Sequence, residues 1–112
     1  MSIERGEIWL ADFNPTKGRE QRGIRPALII SVNRFNNSMA NKVVAMPLTS
    51  KDKGIPLDVH LPPPDGGVKK ASYIKIEDIR SISKERLIEK WGVVSPEKLE
   101  EVEKKIRMLL GV

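Results

Sequence analysis

Apolar residues occur along most of this chain in short runs of strand length, separated by stretches rich in glycine, proline and asparagine. Helical spacing of the apolar residues is clear only at the C-terminal end. The pattern therefore predicts a compact, barrel-like β fold of six or seven short strands with one closing helix. The predicted strands cover residues 7–13, 27–32, 42–50, 56–61, 72–76, 80–83 and 87–94.

The C-terminal segment carries the signals of a helix with defined ends. Ser95 suits the N-cap, Pro96 suits the first helical position, and Gly111 follows the last turn. The apolar residues of this segment share one helical face, so we expect the helix to pack on the sheet and cover the open end of a small barrel. These residues are Leu99, Val102, Ile106, Leu109 and Leu110.

Two features of the middle of the chain predict departures from regular strands. The asparagine-rich segment 33–41 predicts an irregular connection from which Phe35 or Met39 fills the core. Pro47 has no N–H to donate, so it predicts a bulge or an edge in the third strand. Such a bulge or edge would turn Leu48, Thr49 and Ser50 away from the regular sheet.

A long polar loop joins the first two predicted strands and concentrates positive charge. Pro15, Gly18 and Gly23 interrupt it, and loops of this length are uncommon in compact domains unless they bind something. We therefore expect this loop to be a working surface that binds an anion. Its charged residues are Lys17, Arg19, Glu20, Arg22 and Arg25.

Length and composition narrow the class of protein. The 112 residues fit one domain, 1–112, and the absence of cysteine excludes disulfides, thiolate metal sites and a cysteine nucleophile. No apolar run reaches the roughly 20 residues that span a bilayer, so we expect a cytoplasmic protein. The formal net charge of +5 and the pI near 9.6 favour an anionic partner such as nucleic acid, although charge alone is a weak indication.

Most familiar catalytic patterns are missing. His60 is the only histidine, no acidic pair has a convincing metal-ligand spacing, and no phosphate-binding loop motif is present, so no metal or cofactor is expected. What remains is a group suited to phosphodiester chemistry, namely Arg25, Glu20 and Thr49. Each also has a purely structural explanation at a strand or loop. Trp9 and Trp91 could stack on bases, but core packing is the commoner role of tryptophan.

Four segments occur in a characteristic order: R-G-E-I-W-L-A-D-F-N-P-T-K-G-R-E-Q from residue 5, R-P-A-L-I-I-S from residue 25, V-V-A-M-P-L-T-S from residue 43 and I-E-D-I-R-S-I from residue 76. Together they resemble the MazF/PemK family of toxin endoribonucleases. The resemblance implies a β-rich α+β fold, a small SH3-like β-barrel with a C-terminal helix. It also implies a homodimer, metal-independent and sequence-specific cleavage of single-stranded RNA through attack by the 2′-hydroxyl, and inhibition by a cognate antitoxin.

The same resemblance assigns roles to individual residues. Arg25 matches the arginine before proline and Thr49 the threonine at the end of the third strand, both catalytic in the family, and Glu20 matches an acidic loop position that contributes in some members. Asp78 stands where the family usually has glutamine, a position expected to contact RNA. The other residues expected to bind RNA are Lys17, Arg19, Arg22 and Ser50.

Two further functions stay open from the sequence. A nucleic-acid-binding regulator without catalysis needs only the basic loop. A gyrase-inhibiting toxin is possible because such proteins share a similar barrel, and fold alone does not specify function. Arg25 together with Thr49 favours the nuclease.

Overall fold

The computed structural model describes residues 2–15 and 23–112, and these contain seven strands, two helices and three short 3₁₀ turns. The strands are β1 (Glu7–Asp12), β2 (Ile24–Ile29), β3 (Lys42–Thr49), β4 (Val59–Leu61), β5 (Ser72–Ile74), β6 (Arg80–Ser83) and β7 (Leu87–Val93). The helices are α1 (Asn33–Asn36) and α2 (Pro96–Leu110), and the 3₁₀ turns are Asp65–Gly67, Ile76–Asp78 and Lys84–Arg86.

Antiparallel pairing joins all the described strands into one sheet. The strand order is β4-β5-β3-β2-β1-β7, and β6 pairs with the first half of β3. The path does not close into a ring, so the sheet is barrel-like rather than a complete barrel. The predicted β-rich α+β fold with a C-terminal helix is confirmed.

Strand β3 lies at the centre of the sheet and changes partner along its length. Its first half, up to Ala45, pairs with β6, whereas Leu48 and Thr49 pair with β5. Pro47 lies between the two partners, where its missing N–H interrupts neither ladder, and its carbonyl accepts a hydrogen bond from the Lys75 N–H at 3.0 Å. The prediction that Leu48 and Thr49 turn away from the sheet is therefore wrong, and only Ser50 lies beyond the end of β3. Pro47 marks the point where one neighbouring strand replaces the other.

The strands at the middle of the sheet are buried on both faces. Successive residues of β1, such as Ile8 and Trp9, belong to two different apolar clusters, and so do the successive residues Ala27 and Leu28 of β2. This explains why β1 shows no clean alternation of apolar and polar residues. The cluster that contains Ile8 and Leu28 also contains Val102 of helix α2.

Helix α2 begins and ends where the sequence predicts. The Ser95 side chain accepts a hydrogen bond from the Lys98 N–H at 3.3 Å, and Gly111 takes the left-handed conformation with φ 72°. Leu99, Val102 and Ile106 pack against the sheet as expected. Leu109 and Leu110, at the far end of the helix, are exposed instead. None of the described helices is long and apolar enough to cross a membrane.

The prediction that Phe35 or Met39 fills the core is wrong. Both side chains are exposed, Met39 completely so, and the fully buried residue of this segment is Asn36. Residues 33–36 form a helical turn that directs Asn36 inward, where its amide donates to the Ser31 carbonyl at 2.9 Å. A buried polar side chain is tolerated at this position because it is hydrogen-bonded.

Candidate active site

Strand register brings Arg25 and Thr49 to the same place. The ladder between β2 and β3 pairs Ile29 with Ala45 and ends at the pair Ala27–Pro47. Continued two residues further along each strand, this register would set Arg25 opposite Thr49. Opposed residues of antiparallel strands point to the same face of a sheet, so the register directs both side chains to one side.

A cavity of about 410 Å³ opens where the β2–β3 ladder stops. Both Arg25 and Thr49 line it, as do Ser50 and Ser72 from the neighbouring chain segments. The convergence of the loop's last arginine with the end of β3, which the sequence could only suggest, is therefore observed. The remaining lining residues are Leu10, Ile24, Pro26, Leu48, Val68, Lys69, Lys70 and Trp91.

Thr49 and Arg25 supply hydrogen-bonding groups to the cavity. Thr49 is only 4% exposed, and its hydroxyl oxygen accepts a hydrogen bond from the Lys51 N–H at 3.2 Å. Accepting this bond does not use the hydroxyl proton, which can still be donated to an oxygen in the cavity. Arg25 is half-buried beside it and contributes a planar guanidinium that matches phosphate geometry. This side of the cavity suits a phosphate group.

Three charged or aromatic residues that line the cavity were not among the predicted site residues. Lys69 and Lys70 are exposed and follow the 3₁₀ turn Asp65–Gly67, and Trp91 lies on β7. The sequence signal for the two lysines was their pairing one residue after P-P-P-D-G-G, with Val68 between. Trp91 was recognised only as one of two tryptophans able to stack. The lysines add positive charge next to Arg25, which strengthens attraction for an anion.

Four of the predicted site residues lie outside the described residues: Lys17, Arg19, Glu20 and Arg22. The two ends of their loop are described and lie close together. The Phe13 N–H donates to the Gly23 carbonyl at 3.0 Å, and the Gly23 N–H donates to the Asn14 side chain at 3.1 Å. Gly23 directly precedes Ile24 and Arg25, which line the cavity. The roles of these four residues stay predictions.

Asp78 lies away from the lining of the cavity, in the 3₁₀ turn Ile76–Asp78, so its predicted contact with RNA stays a prediction. It belongs to a group of charged residues with Asp58, Lys75 and Glu77. The Lys75 ammonium contacts a Glu77 carboxylate oxygen at 2.9 Å, and the lysine itself is 5% exposed. Among the described residues, no set of three His, Cys, Asp or Glu side chains could hold a metal ion.

Asp58 and Glu77 form a buried carboxyl pair. Both Asp58 carboxylate oxygens and one of Glu77 are buried, and the two carboxyl groups lie within hydrogen-bonding reach of each other. Burial raises the pKa of Asp58 to about 7, and the hydrogen bond and negative charge of Glu77 add to the increase. Below about pH 7, a protonated Asp58 can therefore donate to an ionised Glu77, whose pKa is lowered.

Replacing Asp58 by asparagine is expected to stabilise the fold above neutral pH. Folded Asp58 binds its proton more tightly than an unfolded aspartate does, so its favourable contribution is complete below about pH 4 and is lost as the pH rises through about 7. An amide donates to Glu77 at every pH. Chemical denaturation at pH 8 should show Asp58→Asn more stable than the wild type by about 2 kcal/mol, reduced for partial exposure.

Asp52→Asn is the matched control, because Asp52 is exposed and accepts a hydrogen bond from the Gly54 N–H that asparagine can also accept. Its stability should follow the wild type from pH 5 to pH 8. Parallel curves for Asp58→Asn and the wild type over that range would exclude the shared proton.

Comparison with known proteins identifies what this architecture resembles. Residues 4–110 match the family described as PemK-like, MazF-like toxin of type II toxin-antitoxin system. The endoribonuclease toxin MazF of Escherichia coli (strain K12) is 35% identical over 107 residues, which cover 95% of this chain and 92% of that protein.

Solved structures agree with the sequence match. The crystal structure of MazF from Deinococcus radiodurans superposes with a TM-score of 0.89 at 30% identity, covering 100% of this chain and 99% of the other. MazF in a MazE–MazF crystal structure from the same organism gives a TM-score of 0.82 at 30% identity, covering 100% and 99%. The likeness extends over the whole sheet and helix α2.

Proposed function

Because the chain belongs to the PemK-like, MazF-like toxins of type II toxin–antitoxin systems, we propose that it is an endoribonuclease that cleaves single-stranded RNA. The observation that carries the proposal is the meeting of Arg25 and Thr49 in one cavity. These residue types supply what phosphodiester cleavage needs most, a donor fork for phosphate oxygens and a hydroxyl that donates a further hydrogen bond.

RNA supplies the nucleophile in the proposed reaction. The 2′-hydroxyl oxygen forms a bond to the adjacent phosphorus, the bond from phosphorus to the 5′-oxygen breaks, and a proton moves from the first oxygen to the second. Arg25 stabilises the charge that develops on the non-bridging oxygens, and Thr49 orients the phosphate. Glu20 is the proposed proton carrier, because a carboxylate transfers protons far more readily than a guanidinium. The products are a 2′,3′-cyclic phosphate and a 5′-hydroxyl.

The decisive experiment incubates the purified protein with a long single-stranded RNA in excess chelator and maps the ends of the fragments. We expect cleavage at a restricted set of sequences, with 5′-hydroxyl and cyclic-phosphate ends. Fragments with 5′-phosphates, or cleavage only after a divalent cation is restored, would contradict the proposed chemistry. RNA that is bound but left intact would favour the non-catalytic regulator instead.

We also propose that the protein works as a homodimer in the cytoplasm. Apolar residues exposed on one chain, including Val32, Phe35 and Met39 around α1, can be covered by a two-fold mate. Light scattering that reports a monomer at every accessible concentration would count against the dimer. Recovery of the protein only from membrane or periplasmic fractions would count against a cytoplasmic site of action.

A cognate antitoxin is the proposed protein partner. A relative from Deinococcus radiodurans at 30% identity has been crystallised as a MazE–MazF complex. The cations at the cavity of this chain, Arg25, Lys69 and Lys70, suit an acidic and partly disordered segment of such a partner. We expect saturating antitoxin to block RNA binding, and undiminished RNA binding in the complex would show that it docks elsewhere.

A further inference from the structure

The cavity lining also contains groups whose chemistry the cleavage reaction does not use. Besides the polar groups, its wall includes apolar residues and one aromatic residue, Trp91 on β7. Trp91 is half-buried, so one part of the indole packs on the protein and the rest is accessible. The apolar members of this wall are Leu10, Ile24, Pro26, Leu48 and Val68.

The two tryptophans of the chain have different environments. Trp9 is 5% exposed in the core, and its indole N–H donates to a carboxylate oxygen of Glu7 at 2.9 Å. Its burial and its hydrogen bond give it a structural role. Trp91 instead lies in the same cavity as Arg25 and Thr49.

The backbone that carries Trp91 is tightly held. A β-carbon added to Gly67 would overlap the carbonyl oxygen of Trp91 and come within 2.8 Å of its carbonyl carbon. A β-carbon added to Gly92 would meet the Gly66 backbone at 2.9 Å. Glycine thus lets the Asp65–Gly67 turn pack directly on β7 and fix the strand behind the ring. A ring on a fixed backbone loses little freedom when a ligand stacks on it.

The size and polarity of the cavity specify what the apolar side can take. Its volume of about 410 Å³ falls within the roughly 300–1,000 Å³ of small-molecule sites. A phosphate bound at Arg25 and Thr49 is held by polar groups and does not use the apolar residues of the lining. Of the groups joined to an RNA phosphate, the sugar is polar and the nucleobase alone presents a flat face able to stack on an indole.

We propose that Trp91 and the apolar wall form a nucleobase subsite, which stacks one base of a nucleotide flanking the scissile phosphate. This inference rests on the proposed ribonuclease function and extends it to a residue that determines substrate binding. Trp91 stacks the base and takes no part in proton transfer. Stacking is tolerant of base identity, so Trp91 sets where the strand lies, while hydrogen bonds to base edges discriminate sequence.

Tryptophan fluorescence tests this contact directly. The probe is an RNA that carries a cleavage site mapped with the wild type and a 2′-deoxy nucleotide at the scissile position, so that it binds without being cut. We expect binding to change the emission of the wild type. In Trp91→Phe the change should disappear while the affinity stays within about twofold, because phenylalanine still stacks. Trp9 remains in both proteins as the internal control.

A second series of binding experiments removes each partner of the stack in turn, first the Trp91 ring and then the RNA base. Trp91→Leu should bind the same RNA about tenfold more weakly. Abasic nucleotides placed in turn around the scissile phosphate should reveal one position whose loss weakens wild-type binding about tenfold and leaves Trp91→Leu unchanged. Wild-type affinity that is equal for every abasic RNA would overturn the subsite, and this result does not depend on the folding of any variant.

The outcomes also separate the subsite from the function beneath it. RNA left uncut by the wild type would overturn both the proposed ribonuclease and its subsite. Wild-type cleavage combined with unchanged binding by Trp91→Leu would overturn the subsite alone.

Discussion

Alanine in place of Arg25 is expected to lower the rate of RNA cleavage by at least about a hundredfold. The guanidinium lines the cavity at the point where β2 and β3 separate, and no other arginine is among the described residues that line it. Its removal withdraws the donor fork aimed at the charge that grows on the phosphate. Lys69 and Lys70 still attract RNA, so binding should weaken less than the chemical step.

Thr49→Val separates the hydroxyl from the shape of the side chain. Valine keeps the β-branched form that suits the end of β3, while the donor to the phosphate is lost. We expect the rate to fall by about tenfold to a hundredfold.

Arg107→Ala is the control for the loss of positive charge in Arg25→Ala, because Arg107 is exposed on α2 and does not line the cavity. It should cleave RNA as the wild type does.

Single-turnover rates on the mapped RNA, with affinities for its 2′-deoxy form, distinguish these effects. If Arg25→Ala and Thr49→Val both cleave within about threefold of the wild type, the cavity is not the active site. If the two variants lose only affinity for RNA, both residues bind the substrate without accelerating the reaction. Residues of the loop between β1 and β2 would then stabilise the negative charge of the transition state.

The part of the fold that the sequence predicts best is the part set by neighbouring residues. Helix α2 is the clearest case: Ser95, Pro96 and Gly111 each determine a helix end through their own conformational preferences, and both ends are confirmed. The prediction that Phe35 or Met39 fills the core is wrong because the hydrophobicity of a residue does not determine which way a short turn directs it. A single helical turn, α1, carried Asn36 rather than Phe35 inward, and hydrogen bonds to Ser31 satisfied its side chain.

The candidate site is predictable only in part, because its walls come from distant segments. Arg25 and Thr49 belong to consecutive β-strands, so an antiparallel pair places them together once the register is known. Trp91 and Lys70 reach the same cavity through β7 and the segment before β5, whose positions depend on the order of strands in the sheet. Strand order is a tertiary property that local patterns do not encode, so the sequence did not predict that Trp91 and Lys70 line the cavity.

Gly67→Ala should be the most destabilising small substitution near the cavity, at about 4 kcal/mol or more. Gly67 has φ +80°, in the left-handed region where a side chain is strained. In addition, the new β-carbon would overlap the Trp91 carbonyl oxygen and lie 3.3 Å from the Gly92 nitrogen. These obstacles are backbone atoms of a paired strand, so the clash cannot be relieved by rotating a side chain.

Gly54→Ala isolates the steric part of this effect. Gly54 has a similar φ of +67°, but no atom lies within 4 Å of the added β-carbon, so its cost should be limited to the backbone strain of about 1–2 kcal/mol. Denaturant unfolding of both variants measures the difference. Equal free energies of unfolding would show that the Asp65–Gly67 turn does not need its close contact with β7. A larger loss of stability in Gly67→Ala than in Gly54→Ala would show that the close contact between the Asp65–Gly67 turn and β7 stabilises the fold. If the turn shifts in folded Gly67→Ala, this variant should also lose the RNA-dependent change in Trp91 fluorescence.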